Sequence, residues 1–273
     1  MNQYKLIAFD MDGTLLNSQK NISPLTIRRI EEASKCGIHV VFNTGRCPAE
    51  LNEFFDIVPS VRYVNCVSGA LVYDHKEDNI IYSHAMNIST VKNILEIAGK
   101  EDVMMHLLST QSIVQEDKIP QMDKYHMGVY QEMYLRVTTQ WKDLPGEYLS
   151  HPVPIEKINL YHTAPDARIR TRERITASPL DVVMADAEAS SLEITAKGID
   201  KGVGLLRLCE HLHILPDETI VVGDADNDLA ALKVAGLPVA MGNANNHVKE
   251  ISKIIVADND HDGCAEVIEN FLL

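Results

Sequence analysis

The sequence has no Cys-x-x-Cys pair, no long apolar run and no excess of basic charge. Its five cysteines, Cys36, Cys47, Cys66, Cys209 and Cys264, are scattered and odd in number. Neither a zinc site nor a disulfide framework is indicated by that spacing. No apolar stretch approaches the roughly 20 residues that span a bilayer, so no membrane partner is expected. No basic segment leads into a long apolar one near the start, so no secretory signal is expected and a cytoplasmic location is the default. Asp and Glu number 39 against 25 Lys and Arg, a net charge of −14. A nucleic-acid-binding surface is therefore not expected as the main business of the chain. An anionic small molecule is not excluded, because local cations dominate the potential of their own pocket. The eleven histidines show no metal-ligand spacing, and none is assigned a catalytic role.

What is present begins near the start. Leu6-Ile7-Ala8-Phe9 reads as a buried strand, and it ends in Asp10-Met11-Asp12-Gly13-Thr14. A parallel sheet delivers the C-terminal ends of its strands to the crevice where ligands bind. Asp10 and Asp12 are two residues apart and can project from the same side of the strand end. Carboxylates that close repel unless a cation or a proton lies between them. The pair predicts a divalent metal, Mg²⁺ above others, because Mg²⁺ takes hard oxygen ligands. Taken alone, an Asp-x-Asp-Gly is also an ordinary acidic turn after a strand.

The next elements repeat the pattern. Ser23-Pro24 predicts a helix start, with Leu25, Ile27, Ile30 and Ala33 on its apolar face and Gly37 at its end. Ile38 to Phe42 is a second buried strand, parallel and adjacent to the first through a right-handed crossover. It runs into Asn43-Thr44-Gly45-Arg46 with Pro48 opening a helix. A hydroxyl, a glycine N–H and a helix N-terminus suit an anionic oxygen. Tyr63 to Val67 predicts a third parallel strand, followed by Ser68-Gly69-Ala70 and a hairpin turn over residues 74–79.

From about residue 83 the character shifts to alternating strands and mixed helices. Ser89 is expected to cap a helix that Gly99 ends, and residues 115–134 read as partly helical. Residues 157–161 read as a half-buried strand. Residues 165–175 read as a basic helix whose four arginines form a solvated face. Lys201-Gly202 marks the return, at the start of a helix through Leu212. A cation is disfavoured there by the helix dipole, so a nearby anion would explain it. Thr219 to Val222 is another buried strand, ending in Gly223-Asp224-Ala225-Asp226-Asn227-Asp228. A second acidic cluster at a second strand end again calls for a cation. A helix-loop-helix calcium site would space its ligands more widely and end in Glu.

Asp10 to Thr14 resembles the first motif of the haloacid dehalogenase-like phosphohydrolases, and the resemblance extends along the chain, nearest to the Cof-type sugar-phosphatase branch. Thr44-Gly45-Arg46 is similar to the second motif, Lys201 to the third and Gly223-Asp224-x-x-Asn227-Asp228 to the fourth. Ser68 departs from the branch, which has Asn there. The resemblance implies an α/β fold: a doubly wound, Rossmann-like parallel-sheet core of residues 1–82 and 199–273, with an α+β cap inserted over 83–198 that covers the site and sets specificity. It implies that Asp10 attacks phosphorus and that Asp12 protonates the leaving oxygen and then activates water. Mg²⁺ is expected on Asp10, the backbone of Asp12, and Asp224, with Asp228 in support. Thr44, the N–H groups of Met11 and Gly45, Lys201 and Asn227 are expected on the phosphoryl oxygens. Arg46 reaches either the substrate or an outward salt bridge. The expected partner is a small phosphorylated metabolite: a sugar phosphate, a sugar-acid phosphate, or a flavin or pyridoxal-type phosphate. A phosphomutase of the same superfamily and a non-catalytic phosphometabolite sensor are the alternatives. A monomer or a homodimer is expected.

Overall fold

The computed structural model describes residues 3–187 and 190–273. They fall into two compact units. The first comprises the residues up to Arg46, Leu51–Ser83 and Asp200–Leu273; the second comprises Cys47–Glu50 and His84–Ile199. Residues 47–50 thus group with the second unit, whereas sequence alone put all of 1–82 in the core.

The first unit opens with β1 (Leu6–Phe9), β2 (His39–Asn43), β3 (Tyr63–Cys66), β4 (Leu71–Asp74) and β5 (Asn79–Ser83). The second contributes β6 (Val103–Leu108), β7 (Ser112–Gln115), β8 (Thr139–Trp141), β9 (Lys157–His162), β10 (Val182–Ala187) and β11 (Ser191–Ala196). The chain returns to the first with β12 (Thr219–Gly223), β13 (Leu237–Ala240) and β14 (Ile254–Ile255).

The first sheet runs β14-β13-β12-β1-β2-β3-β4-β5. All its pairs from β14 to β3 are parallel, and β4 and β5 add an antiparallel edge. This is the mostly parallel α/β core expected. β1 lies in its interior, flanked by β12 and β2, and its four residues are fully buried. A strand covered on both faces reads as a continuous apolar run, which is why Leu6 to Phe9 does not alternate. The helix Pro24–Lys35 starts as its sequence predicts: Ser23 Oγ accepts from Thr26 N–H at 3.1 Å, and Pro24 occupies the first turn.

The sheet of the second unit runs β10-β11-β9-β6-β7-β8 and is antiparallel except for the β7–β8 pair. Here several details differ from expectation. β9 is buried along its whole length, not half-buried. Its polar members are paired instead of solvated: Lys157 is 1% exposed and its ammonium lies 2.6 Å from Glu193. The arginines of helix Pro165–Thr176 are likewise not a bare solvated face. Arg170 and Arg174 both reach Glu101, at 2.7 and 2.6 Å, and Arg172 reaches Asp186 at 2.6 Å. The helix expected from Ser89 starts one turn-half earlier, at Ile88 after Asn87. Residues 116–130 are mostly tight 3₁₀ turns, with an α-helix only over Gln131–Val137. Among the described residues, no helix is long and apolar enough to cross a membrane.

Candidate active site

Register fixes which strand ends meet. Phe9 pairs with Phe42 on one side and with Val222 on the other. One step further along each strand, Asp10 therefore stands between Asn43-Thr44 and Gly223-Asp224, and its N–H donates to Val222 O at 3.0 Å. Gly13 then turns the chain with φ +88°; a Cβ there would lie 2.5 Å from Asp224 Oδ2, so only glycine lets the two acidic loops close.

Three carboxylates converge. Asp10, Asp224 and Asp228 each place an oxygen within 4.8 Å of the others. Lys201 enters from the start of helix Lys201–Leu212, only 1% exposed. Its ammonium lies 2.5 Å from Asp10 Oδ1 and 2.7 Å from Asp228 Oδ1. Burial works against its charge, but Asp10 and Asp228 prevail and hold its pKa above the usual lysine range. Burial, and then the Asp228 charge, push the Asp10 carboxyl well up, with Lys201 only partly offsetting them. Burial also raises Asp224, against the 2.8 Å bond that Thr14 Oγ1 donates to it. Lys201 alone does not balance this cluster. Asp228 is fully buried and committed: Oδ1 takes Lys201, and Oδ2 takes the N–H groups of Asp224 and Ala225 at 3.1 and 3.3 Å. Asp10 and Asp224 are the members poised for a further cation, and an all-oxygen set suits a hard one.

Asp12 points elsewhere. Arg46 grips its carboxylate with two bonds, Nε to Oδ2 at 3.0 Å and Nη2 to Oδ1 at 2.9 Å. Lys20 adds a third, to Oδ1 at 2.8 Å. Burial would raise its pKa, but Arg46 first and Lys20 second lower it to about 2. Arg46 is thus engaged in a salt bridge with the partly exposed Asp12, and its guanidinium also lies 5.5 Å from the Phe54 ring.

The whole length of the chain bears on this geometry. A family model for haloacid dehalogenase-like hydrolases matches residues 7–268. The chain belongs to the haloacid dehalogenase-like hydrolases. Among curated relatives it is 26% identical to 5-amino-6-(5-phospho-D-ribitylamino)uracil phosphatase YcsE of Bacillus subtilis, covering 98% of this chain and 96% of the relative. It is 23% identical to pyridoxal phosphate phosphatase YbhA of Escherichia coli, covering 98% and 99%. A haloacid dehalogenase-like hydrolase from Bacteroides thetaiotaomicron superposes with a TM-score of 0.84 at 25% identity, covering 98% and 99%. A sugar phosphatase of HAD subclass IIB shares the fold at TM-score 0.79 and 22% identity, covering 98% of each chain.

In this haloacid dehalogenase-like hydrolase the sequence-predicted residues are not all equally engaged. Thr44 is 2% exposed; its N–H donates to Asn65 O at 2.8 Å and its Oγ1 accepts from Arg46 N–H at 3.2 Å. Met11 is buried beneath the strand end, and Gly45 follows Thr44 half-exposed. Asn227 is exposed, and among the described residues no hydrogen bond ties it to Asp10 or Lys201.

Four residues were not anticipated. Thr14 and Lys20 hold Asp224 and Asp12, as above. Asn65 Nδ2 donates to Lys201 O at 2.8 Å and to Asn43 Oδ1 at 2.6 Å, all of it fully buried. The available signal was a single Asn inside each of two otherwise apolar strands. Gly69 completes the support. With φ +91°, it lets the chain pass so close that an added Cβ would lie 1.9 Å from Asp200 O, next to Lys201. Ser68, where the branch has Asn, has φ +58°. Asn is enriched in that left-handed region, so backbone conformation is one reason for Asn there.

Proposed function

We propose that the protein is a Mg²⁺-dependent phosphatase of small phosphorylated metabolites, sugar phosphates first, working through an aspartyl-phosphate. The observation that carries this reading is Asp10: a carboxylate at a buried strand end, faced by Asp224, Asp228 and the Lys201 ammonium. The relatives' names support a small phosphomonoester and differ on which one.

The residues fit a magnesium ion. Without one, burial and two neighbouring carboxylates favour a proton on Asp10, which would spoil it as a nucleophile. Asp10, Asp224 and the Asp12 backbone carbonyl would hold the ion, with Asp228 behind them fixing Lys201 and the loop. When bound it supplies positive charge against the repulsion between carboxylate and phosphate.

Asp10 attacks phosphorus, and the bond to the leaving oxygen breaks as the Asp10–phosphorus bond forms. The departing oxygen takes a proton from Asp12. Water then attacks the phosphoryl group, gives its proton to Asp12, and Asp10 is regenerated with inorganic phosphate. Thr44 Oγ1 accepts from Arg46 N–H, which leaves its own O–H to donate to a phosphoryl oxygen. Lys201 and the N–H groups of Met11 and Gly45 serve the other oxygens, with Asn227 moving in from its exposed position. Asp12 as described is an ionised carboxylate between two cations, matched to the water step. For the first step it must carry a proton, so a dianionic substrate has to draw the Arg46 fork, the stronger of the two influences, partly away while Lys20 stays. The second unit, inserted between the two halves of the first in sequence, is taken as the part that selects the leaving group.

The test is a panel of phosphorylated metabolites assayed for inorganic phosphate, with Mg²⁺ and with excess chelator. Phosphate release that needs Mg²⁺ is expected. An isomerised phosphate ester with no free phosphate would point to a phosphomutase, and binding with no turnover would point to a sensor.

A further inference from the structure

The turn after Asp12 ends in a residue with an uncommon backbone. Lys20 has φ +62°, a left-handed conformation that Asn and Asp tolerate far better than other residues with a Cβ. Many bonds hold it there. Asn17 Oδ1 accepts from the N–H groups of Gln19 and Asn21, both at 3.0 Å. Asn17 N–H donates to Asn21 O, and Lys20 N–H donates to Asn17 O. Two residues from near the C-terminus pin the same turn. Ser18 N–H donates to Asp260 Oδ1 at 2.8 Å, and Asn259 Nδ2 donates to Leu16 O at 2.9 Å. A backbone outlier fixed this thoroughly belongs with strain that the surroundings hold for a purpose.

That turn carries the Lys20 ammonium back to Asp12 Oδ1 at 2.8 Å. Arg46 already forks onto both oxygens of the same carboxylate, and a planar fork fixes the plane of its partner. Lys20 is different in kind. It is a point charge on a flexible stem, half-exposed, and it bonds the Oδ1 oxygen of Asp12. Together the two cations fix both the plane and the tilt of the Asp12 carboxyl.

We propose that Lys20 is a positioning residue for Asp12, holding its carboxyl at the angle from which a proton reaches the departing oxygen. This rests on the reading of Asp12 as the acid–base group. As the phosphorus–oxygen bond breaks, its electron pair goes to the leaving oxygen. The Asp12 O–H bond then breaks and its proton joins that oxygen, so an alcohol leaves and Asp12 remains a carboxylate. An aliphatic alcohol needs that proton, because an alkoxide is a poor leaving group. A nitrophenolate leaves without it. The contribution of Lys20 therefore scales with the basicity of the leaving group.

The experiment compares wild type, Lys20→Asn and Lys20→Arg on glycerol phosphate and on p-nitrophenyl phosphate with Mg²⁺. The quantity read is kcat/KM, which reports steps only through departure of the alcohol. Asn suits the left-handed backbone, so the turn and the Tm of Lys20→Asn are expected to survive. The expected result is a loss for Lys20→Asn that is roughly tenfold larger on glycerol phosphate than on the nitrophenyl ester, a fraction of the 10²–10⁴ that a whole acid–base group supplies. Lys20→Arg should recover most of that difference, since it keeps the charge. Equal losses on the two esters, or no loss on either, would overturn the role of Lys20 and leave the phosphatase reading standing. Where glycerol phosphate is not cleaved, the best aliphatic phosphate ester of the metabolite panel takes its place, and a wild-type protein that cleaves no ester of the panel would overturn both.

Discussion

Asn65 donates its side-chain amide to the backbone carbonyl of Lys201 at 2.8 Å, while its backbone carbonyl accepts from Thr44 N–H at 2.8 Å. One residue at the end of β3, with no candidate chemistry of its own, thus registers two phosphate-binding candidates that lie far apart in sequence. Asn65→Asp would turn a donor into an acceptor facing two acceptors, Lys201 O and Asn43 Oδ1, in a fully buried place. A loss of about 1–3 kcal/mol or more is expected, the cost of leaving buried polar groups unsatisfied. Urea unfolding measures it, and turnover should fall alongside. Stability and kcat both at wild-type level would mean that this contact does not register the site.

Asp10→Asn should release no phosphate from any ester that the wild type cleaves, because an amide cannot serve as the nucleophile. The fold should persist, since the change removes one charge from a crowded acidic cluster. A phosphate-release assay beside a circular dichroism melt separates the two effects. Turnover within a few-fold of wild type would remove Asp10 from the reaction.

Lys201→Ala strips the buried cation from between Asp10 and Asp228. Breaking a buried pair from one side costs about 3–5 kcal/mol, because the remaining charges are uncompensated. Added Mg²⁺ should recover part of that stability, as it supplies charge to the same carboxylates, but it should not recover kcat/KM. Lys201→Arg should rescue poorly, since a planar fork does not replace a point charge wedged between two carboxylates. Near-wild-type kcat/KM for Lys201→Ala would count against its place in the site.

His106 gives a pH dependence located in the second unit. It is 1% exposed, with Ser112 Oγ at 2.7 Å, Tyr134 OH at 3.1 Å and Glu50 at 3.5 Å. Burial lowers its pKa to about 4, although Glu50 works in the other direction. Above pH 6.5 the ring is neutral folded or unfolded, and stability does not depend on it. Between about 6.5 and 4 the unfolded chain binds a proton that the folded one refuses, so stability falls as pH falls. The loss approaches about 3 kcal/mol by pH 4, at about 1.4 kcal/mol per pK unit. His106→Gln should flatten that part of the urea-stability profile relative to wild type. Parallel profiles would show that His106 is protonated in the folded protein or that solvent reaches it.

Where chemistry sits at the end of an apolar run, it was legible from sequence. Asp10 and Asp224 each follow a buried strand, and the β-α-β rule brings β1 and β2 together, so the meeting of Asp10 with Thr44 could be anticipated from pattern, while that with Asp224 and Lys201 was anticipated through the family resemblance. Lys20 could not. A lysine in a polar turn has no periodicity, and its left-handed backbone has no signature when the residue is not Gly or Asn. Asn65 was hidden for the opposite reason, as one polar residue inside an apolar strand. In β9, Lys157 and Asn159 gave the alternation of a half-solvated strand, because pairing partners such as Glu193 come from a different strand. Residues 47–50 follow a core motif directly in sequence, and only contacts from farther along the chain assign Glu50, through the 3.0 Å bond from Ser112 Oγ, to the second unit.

The position of β1 has a bearing on how the chain is made. Leu6 pairs with His39 on one side, so that edge closes soon after β1 is made. On the other side Leu6 pairs with Thr219. Until β12 is made, then, the strand that carries Asp10 presents an open apolar edge, a ready template for the wrong partner. The late arrival of β12 both seals that edge and delivers Asp224. A nascent chain that has assembled its acidic cluster is therefore one whose most adhesive strand is already covered, and chains stalled before β12 are the ones expected to aggregate.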